Sequence, residues 1–444
     1  RIPDAESAFN VAQPTVDELV RRAPTNADFV AIQAENLLWL GRIAWERGEL
    51  DAALKRFHSA LDRLATLGVA AQGEVAITDL GGRLHTNIGR VLEARGEFDA
   101  AHAEYVLVLA NYERLGARER DKLDWKTEIG YAHTNLGQIA WKEGRLDEAI
   151  REYGADRRIK ASLAVIEPNN SRREDLLIAN ARLGKSLAAV GETPLADRYL
   201  RSAIDEAGRL LELDPTVTSW QEDDGYYCML LAGLMRATGN LADAARFGDR
   251  ATQRLQGLVR QDPQNVLWAR YLAESELESA RRVFAQKRYG DADQLIRRAD
   301  GGFRPLIKEA ANDRTNALVL GRMDVLAGDI AEAKHDPASA GDAWTRADNE
   351  TREGAKGTRD PAWMEMRAGI LLRRGDVSGA DALFGQLASV GYQHPDLIAT
   401  VNARGVAFAV DAEASRRIAV AVGTVGDPAG DEPSLPGASA SGQP

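Results

Sequence analysis

Cysteine is almost missing from this sequence. One residue, Cys228, stands among 444, so no disulfide can close within the chain and no multi-cysteine zinc site can form, which fits a reducing compartment. Long apolar runs are missing too. No stretch of about 18 consecutive apolar residues occurs, so no segment reads as a membrane span. The opening residues, RIPDAESAFN, lack a basic region followed by an apolar run, so no signal peptide is visible. They also lack a starting Met, and the expectation is a piece or processed product of something longer. Basic charge is not in excess: 67 acidic against 56 basic residues leave a net charge of −11. That argues against a general nucleic-acid binder, which needs a basic footprint. Histidine is scarce. The six residues His58, His85, His102, His133, His335 and His394 include no i,i+4 pair and no HExxH, so no metal site is expected. No P-loop lysine motif, GxGxxG, GxSxG or kinase signature set occurs. Cys228 reads as buried packing, and the many Arg–Glu neighbours as surface pairs of small energetic value. The expectation is a cytoplasmic protein with no catalytic residues, no cofactor, no nucleic-acid partner and no membrane partner.

Repetition is abundant. HTNIG (85–89) and HTNLG (133–137) are nearly the same five residues, 48 positions apart. Their glycines, Gly89 and Gly137, extend backwards to Gly41 and forwards to Gly184. Twelve residues after each comes an alanine, and the frame runs on through Ala53, Ala101, Ala149, Ala196, Ala244, Ala292, Ala340 and Ala380, with spacings of 48, 48, 47, 48, 48, 48 and 40. Five residues before these alanines stand Gly48, Gly96, Gly144, Gly191, Gly239 and Gly375, with Lys287 and His335 breaking the column. Phe57, Tyr105, Tyr153, Trp344 and Phe384 follow four residues after theirs, and Tyr199 three after Ala196. A fixed period of this kind marks a stack of supersecondary units.

One unit, AHTNLGQIAWKEGRLDEAIREY (132–153), displays the physics. Leu136, Ala140 and Trp141 follow helical spacing, so the first segment buries one face. Gly144 suits the left-handed conformation that ends a helix. Asp147 and Glu148 fall in the first turn of the next helix, where the macrodipole favours acids. Ala149 lets two helices approach, and Tyr153 fills the space one turn later. The second helix should stop at Glu167-Pro168, and its counterparts at Asp214-Pro215 and Asp262-Pro263, because proline disfavours helix in the residue before it. That makes the second helices roughly 20 residues long, about 30 Å.

This pattern resembles the tetratricopeptide repeat (TPR). The Leu-Gly pair of that family reads Leu40-Gly41, Ile88-Gly89, Leu136-Gly137 and Leu183-Gly184, and its late alanine Ala60, Ala203, Ala251, Ala299 and Ala347. The likeness covers about residues 30–395. It departs in period, 48 against the family's usual 34, in the weaker motif of units six and seven, and in His85 and His133 standing where the family has a bulky residue. The long period also resembles the arrays attached to enzymes in bacterial signalling and defence proteins. The resemblance implies an all-α, right-handed superhelical solenoid of about eight long antiparallel helix-turn-helix repeats. Within it, 1–29 reads as the end of a preceding helix or a cap and 30–300 as the regular array of units one to six. Residues 301–405 read as two degenerate units with a capping helix, and 406–444 as an extension with a disordered tail from about 423. Gly301-Gly302 should kink or split the second helix of unit six.

In the family the first helices line a concave groove, and residues beside the Leu-Gly pair face ligands. Carried over, this places Arg83, Thr86, Asn87 and Arg90 in the groove from unit two. Unit three contributes Thr134, Asn135, Gln138 and Lys142, and unit four Arg182 and Lys185. Asn offers a peptide backbone both donor and acceptor, and Arg or Lys pairs with a carboxylate. The expected function is a non-catalytic scaffold or sensor binding a protein or peptide, such as an acidic or C-terminal segment, across units two to four. Two other classes stay open. One is the regulatory region of a larger signalling or defence protein whose ATPase, protease, kinase or cyclase domain lies outside this chain. The other is a self-assembly module.

Overall fold

The computed structural model describes residues 2–310, 313–426 and 428. Among the described residues every regular element is helical, with twenty α-helices, sixteen of them in eight antiparallel pairs. A leading helix α1 (Ile2–Arg22) is followed by hairpins α2/α3 (Ala27–Glu46, Leu50–Ala65), a short α4 (Val69–Gln72), α5/α6 (Val75–Ala94, Phe98–Arg118) and α7/α8 (Leu123–Lys142, Leu146–Ile166). Then come α9/α10 (Asn170–Ala189, Thr193–Leu213), α11/α12 (Thr218–Ala237, Leu241–Gln261), α13/α14 (Val266–Ala285, Tyr289–Phe303), α15/α16 (Arg314–Ala333, Pro337–Thr351) and α17/α18 (Pro361–Arg373, Val377–Ser389). Two last helices, α19 (Pro395–Ala403) and α20 (Ala412–Gly423), complete the chain. The expected proline stops hold: α8, α10 and α12 end at Ile166, Leu213 and Gln261. Helix α14 runs through both Gly301 and Gly302, ends at Phe303 and passes into a 3-10 helix, Arg304–Ala310. The break therefore falls one residue after the glycine pair. Of the tail expected to be disordered, residues 427 and 429–444 lie outside the described residues.

The backbone confirms the repeat register. Gly48, Gly96, Gly144, Gly191, Gly239 and Gly375 all have φ between 72° and 86°. The two positions that break the glycine column, Lys287 (φ 60°) and His335 (φ 63°), are the positive-φ non-glycine residues among those described. The turn between paired helices demands a left-handed residue whatever the side chain, at a cost to an L-residue with a Cβ. Units six and seven thus keep the register although their sequences are weaker.

Packing inside a hairpin turns on a second pair, 16 residues apart. A Cβ added to Gly89 would lie 2.6 Å from Tyr105 Cε1, and added methyls at Gly41 and Gly328 would collide with Phe57 and Trp344. In unit five both positions are small: Ala232 faces Gly248. A small residue on one helix admits a large one from the other, because interiors tolerate neither voids nor overlap.

The chain forms two compact units, Arg1–Ile139 and Ala140–Pro444. The first has a continuous core built on Phe57, Leu84, Ile88, Tyr105 and Tyr112. Its α1 packs along α2, with Phe9 stacked on Trp39 at 6.1 Å. The second closes on itself. One core joins residues 140–251 directly to 364–421, while residues 269–330 have a core of their own. Helix α20 packs on α8 and α19 on α11, so the last helices of this unit return to its first.

Candidate functional site: the inner faces of the first helices

First helices of neighbouring repeats touch one another: α2 with α5 in the first unit, and α9, α11, α13, α15 and α17 in turn in the second. Second helices of neighbouring repeats meet at most marginally. In a two-layer array the layer whose members approach more closely lies inside the curve, so the first helices form the inner layer.

Seven of the ten groove residues expected from the sequence fall in the first unit. Arg83 is committed there: Nη2 lies 3.3 Å from Glu35 Oε1 on α2, and Nε 3.4 Å from Asp79 Oδ2 on its own helix. Thr86 Oγ1 donates to Gly82 O at 3.0 Å, and Asn87 Nδ2 donates to Arg83 O at 2.7 Å. Asn87 thus spends an amide donor on its own helix. Gln138 Nε2 donates to Glu93. Thr134 is buried and its hydroxyl has no hydrogen-bond partner. Asn135 is half-buried, and Arg90 is exposed. His85 is fixed structurally, with Nδ1 2.6 Å from Glu104 Oε2 on α6 and the two side chains 17% and 18% exposed. His133 is half-buried. Burial holds the Asp79 carboxyl above its usual range against the opposing Arg83, and raises Glu128, with Asp79 adding to the effect.

The other three residues fall in the second unit. Lys142 is half-buried near the end of α7, Arg182 is half-buried on α9, and Lys185 is exposed with Nζ 5.6 Å from the Trp141 ring. They belong to a larger group that the sequence reading missed. Six residues before the packing glycine or alanine of each first helix stand Glu35, Arg83, Tyr131, Ile178, Tyr226, Glu274 and Arg322. Four residues earlier, one turn away on the same face, stand Glu174, Glu222 and Arg270 in units four to six. Within each unit these positions fall on the first helices, which form its inner layer. The repeat register was the signal that could have found them, had it been followed past the neighbours of the Leu-Gly pair and into units five to seven.

The chemistry of this surface differs from that of the hairpin interiors. Among the described residues, Arg182, Arg270, Arg322 and Glu274 make no ion pair within 4 Å. Glu274 is nonetheless surrounded by cations: burial pushes its carboxyl up, and Arg322, Arg270 and Lys185 pull it back. Asp360, the N-cap of α17, is likewise raised by burial, against the Ala362 N–H it accepts at 2.9 Å and the charges of Lys185, Arg322 and Lys142. Nearby, burial drives Asp223 up to about 7, with Glu174 and Glu222 adding to the effect and the Tyr227 hydroxyl and Arg182 opposing it. Tyr226 and Tyr271 lie 4.6 Å apart between α11 and α13. Elsewhere in the second unit three buried carboxylates are consumed by arginines. Buried Asp224 takes Arg250 and Arg254, Asp324 takes Arg304 and Arg346, and Asp348 takes Arg352, Arg367 and Arg374. The Asp224 pairs hold the two helices of one hairpin, whereas Arg304 to Asp324 and Arg367 and Arg374 to Asp348 join neighbouring hairpins.

Cys228 is fully buried and its thiol is pushed up to about 12, chiefly by desolvation. Among the described residues no group of three His, Cys, Asp or Glu side chains could hold a metal ion, and no helix is long and apolar enough to cross a membrane.

No protein-family model and no curated protein matches this sequence. Solved structures do match in fold. The apo form of RapI aligns with a TM-score of 0.51 at 10% identity, over 73% of this chain and 100% of that one. A Rap protein complexed with competence and sporulation factor aligns with a TM-score of 0.50 at 14% identity, over 90% and 97%. A tetratricopeptide repeat protein from Parabacteroides merdae ATCC 43184 aligns more loosely, with a TM-score of 0.39 at 14% identity over 71% and 93%. At such identities the likeness is one of fold, and with the repeat register it makes this chain a TPR-like, all-helical repeat protein.

Proposed function

We propose that this chain is a non-catalytic binding module that takes a protein or peptide segment on the inner faces of its first helices. The observation that carries the reading is the contrast in charge pairing. The buried carboxylates Asp224 and Asp324 on the hairpins each hold two arginines, whereas Arg182, Arg270, Arg322 and Glu274 are held half-buried on the inner face of the second unit without an ion pair within 4 Å. A charged group kept half-desolvated and unpaired costs stability, and a ligand of complementary charge recovers that cost. The ten groove residues expected from the sequence belong to the same proposal: Arg90 in the first unit and Lys185 in the second are exposed cations on inner-layer helices. The aligned Rap protein was solved with competence and sporulation factor bound, which is compatible with ligand binding on this fold.

The test is capture with the full chain as bait, followed by mass spectrometry and a direct binding measurement on the protein identified. Lys185→Glu and Arg322→Glu should each weaken that partner by about tenfold or more, since charge-assisted hydrogen bonds contribute about 1.5–3 kcal/mol. Arg297→Glu, on a second helix and 78% exposed, should leave it unchanged. Equal affinity in all three moves the site off the inner face.

A further inference from the structure

The second unit is closed by its own C-terminal segment, and the closure has the build of a fastening. Residues 391–426 reach back across roughly 200 positions of sequence to the ends of α9 and α11. The Gln393 N–H donates to Ala189 O at 2.9 Å, and its Nε2 to Val190 O at 2.8 Å. These carbonyls end α9 and have no further turn to bond them. Asp396 accepts from Arg236 at 2.8 Å, in a cluster completed by Glu278 and Arg281. Further along, Arg158 Nη1 donates to Thr424 O at 2.9 Å and the Tyr199 hydroxyl to Gly426 O at 2.6 Å.

The apolar part of the contact is sparse for a segment of this length: Tyr392 is buried, and Val406, Phe408, Val422 and Val425 pack only partly buried against the core. Helix α19 buries Leu397 and Val401, and α20 buries Ala414, Ile418 and Ala421. The 21-residue α10 by contrast buries nine residues, including Tyr199, Leu200, Ile204, Leu210 and Leu211. Residues 406–411, between α19 and α20, carry no helix. The segment is anchored to the preceding hairpin by Asp411 N–H to Ala388 O at 3.1 Å and Tyr392 to Glu365 at 2.6 Å. An element with few buried apolar side chains and a polar attachment opens at lower free energy than the core it covers.

We infer that residues 391–426 are a clasp that releases as one unit, opening the closure of the second unit and exposing the inner face around Arg322. That residue lies close enough to the clasp's Tyr392 for its charge to act on the hydroxyl. The inference stands apart from the ligand reading: the clasp can open whether or not a ligand uses that face.

Hydrogen exchange on the full chain tests it, with Asp396→Asn and Gln393→Ala as variants and circular dichroism to check folding. Amides of 395–403 and 412–423 should exchange together, about tenfold faster than those of 193–213, as a separately opening unit would. Asp396→Asn should speed them about tenfold more, and Gln393→Ala by a smaller factor, with 193–213 unchanged. In an Arg322→Cys chain, thiol labelling should accelerate in step when Asp396→Asn is added, while buried Cys228 stays slow. Exchange of the segment in step with 193–213, or insensitive to both variants, overturns the clasp. So does faster exchange without faster labelling at position 322.

Discussion

The two compact units use the same repeat and treat its inner face differently. In the first, Arg83 bridges Glu35 and Asp79, Asn87 bonds its own helix and Gln138 takes Glu93. In the second, Arg182, Arg270, Arg322 and Glu274 stay without an ion pair, and the unit folds its last helices onto its first. One face is largely satisfied by its neighbours and the other retains charge. A repeat motif therefore specifies scaffold, and the few columns it leaves open decide what the scaffold does.

The contrast is open to attack at three levels. The largest effect should come from the aromatic in a glycine notch. Tyr105→Ala empties the space against Gly89 and should cost about 3–5 kcal/mol. The loss should appear in hydrogen exchange of 27–139 and spare 193–261; a loss spread evenly over both ranges would mean the units do not behave as separate bodies.

A smaller, pH-dependent effect is expected at Asp223. Its carboxyl is raised from 3.8 to about 7 by burial, so the folded state holds a proton that the unfolded state has lost. Stability contributed by the protonated form is full below pH 3.8 and is lost as pH rises through about 7. Asp223→Asn should therefore raise stability relative to the parent at pH 8, with the difference vanishing below about pH 4. Urea denaturation of both proteins across this range checks it, and a pH-independent difference would assign Asp223 an ordinary exposed behaviour.

The smallest expected effect sharpens the comparison itself. Arg322→Ala removes a half-buried charge with no ion pair and should raise stability slightly, by about 0.5 kcal/mol or less. Arg83→Ala in the first unit breaks two pairs and should cost up to about 1 kcal/mol. A double-mutant cycle with Glu35→Ala should return direct ion-pair coupling for Arg83, and one pairing Arg322 with Glu274 should return a smaller value, the through-space attraction that opposes the burial of Glu274. Strong coupling at Arg322 would erase the difference between the two inner faces.

Much of the architecture was legible in the residues because it depends on local rules. Helical spacing, a left-handed turn residue and a proline stop each act within a few positions, so hairpins and register could be read unit by unit. Lys287 and His335 show how strong that register is, since the backbone imposes the turn where glycine is missing. The candidate site was read less fully. Looking only beside the Leu-Gly pair found Arg182 and Lys185 and overlooked Glu274, Arg322 and the Tyr226–Tyr271 contact, which lie one to two turns earlier and further along the array. It also placed Asn87 in the groove, and one amide donor of that residue is bonded to Arg83 O.

By itself the sequence determined a periodic, all-helical chain with a small residue facing a large one in hairpin after hairpin. Those choices are short-range, and each repeat carries its own copy. Only the tertiary structure decided which inner-face charges are paired and that the second unit closes through Gln393 and Asp396. The physical reason is accumulation. Each repeat turns slightly against the last, and the sum over five or six of them sets whether residue 393 meets residue 190, a quantity no single repeat encodes.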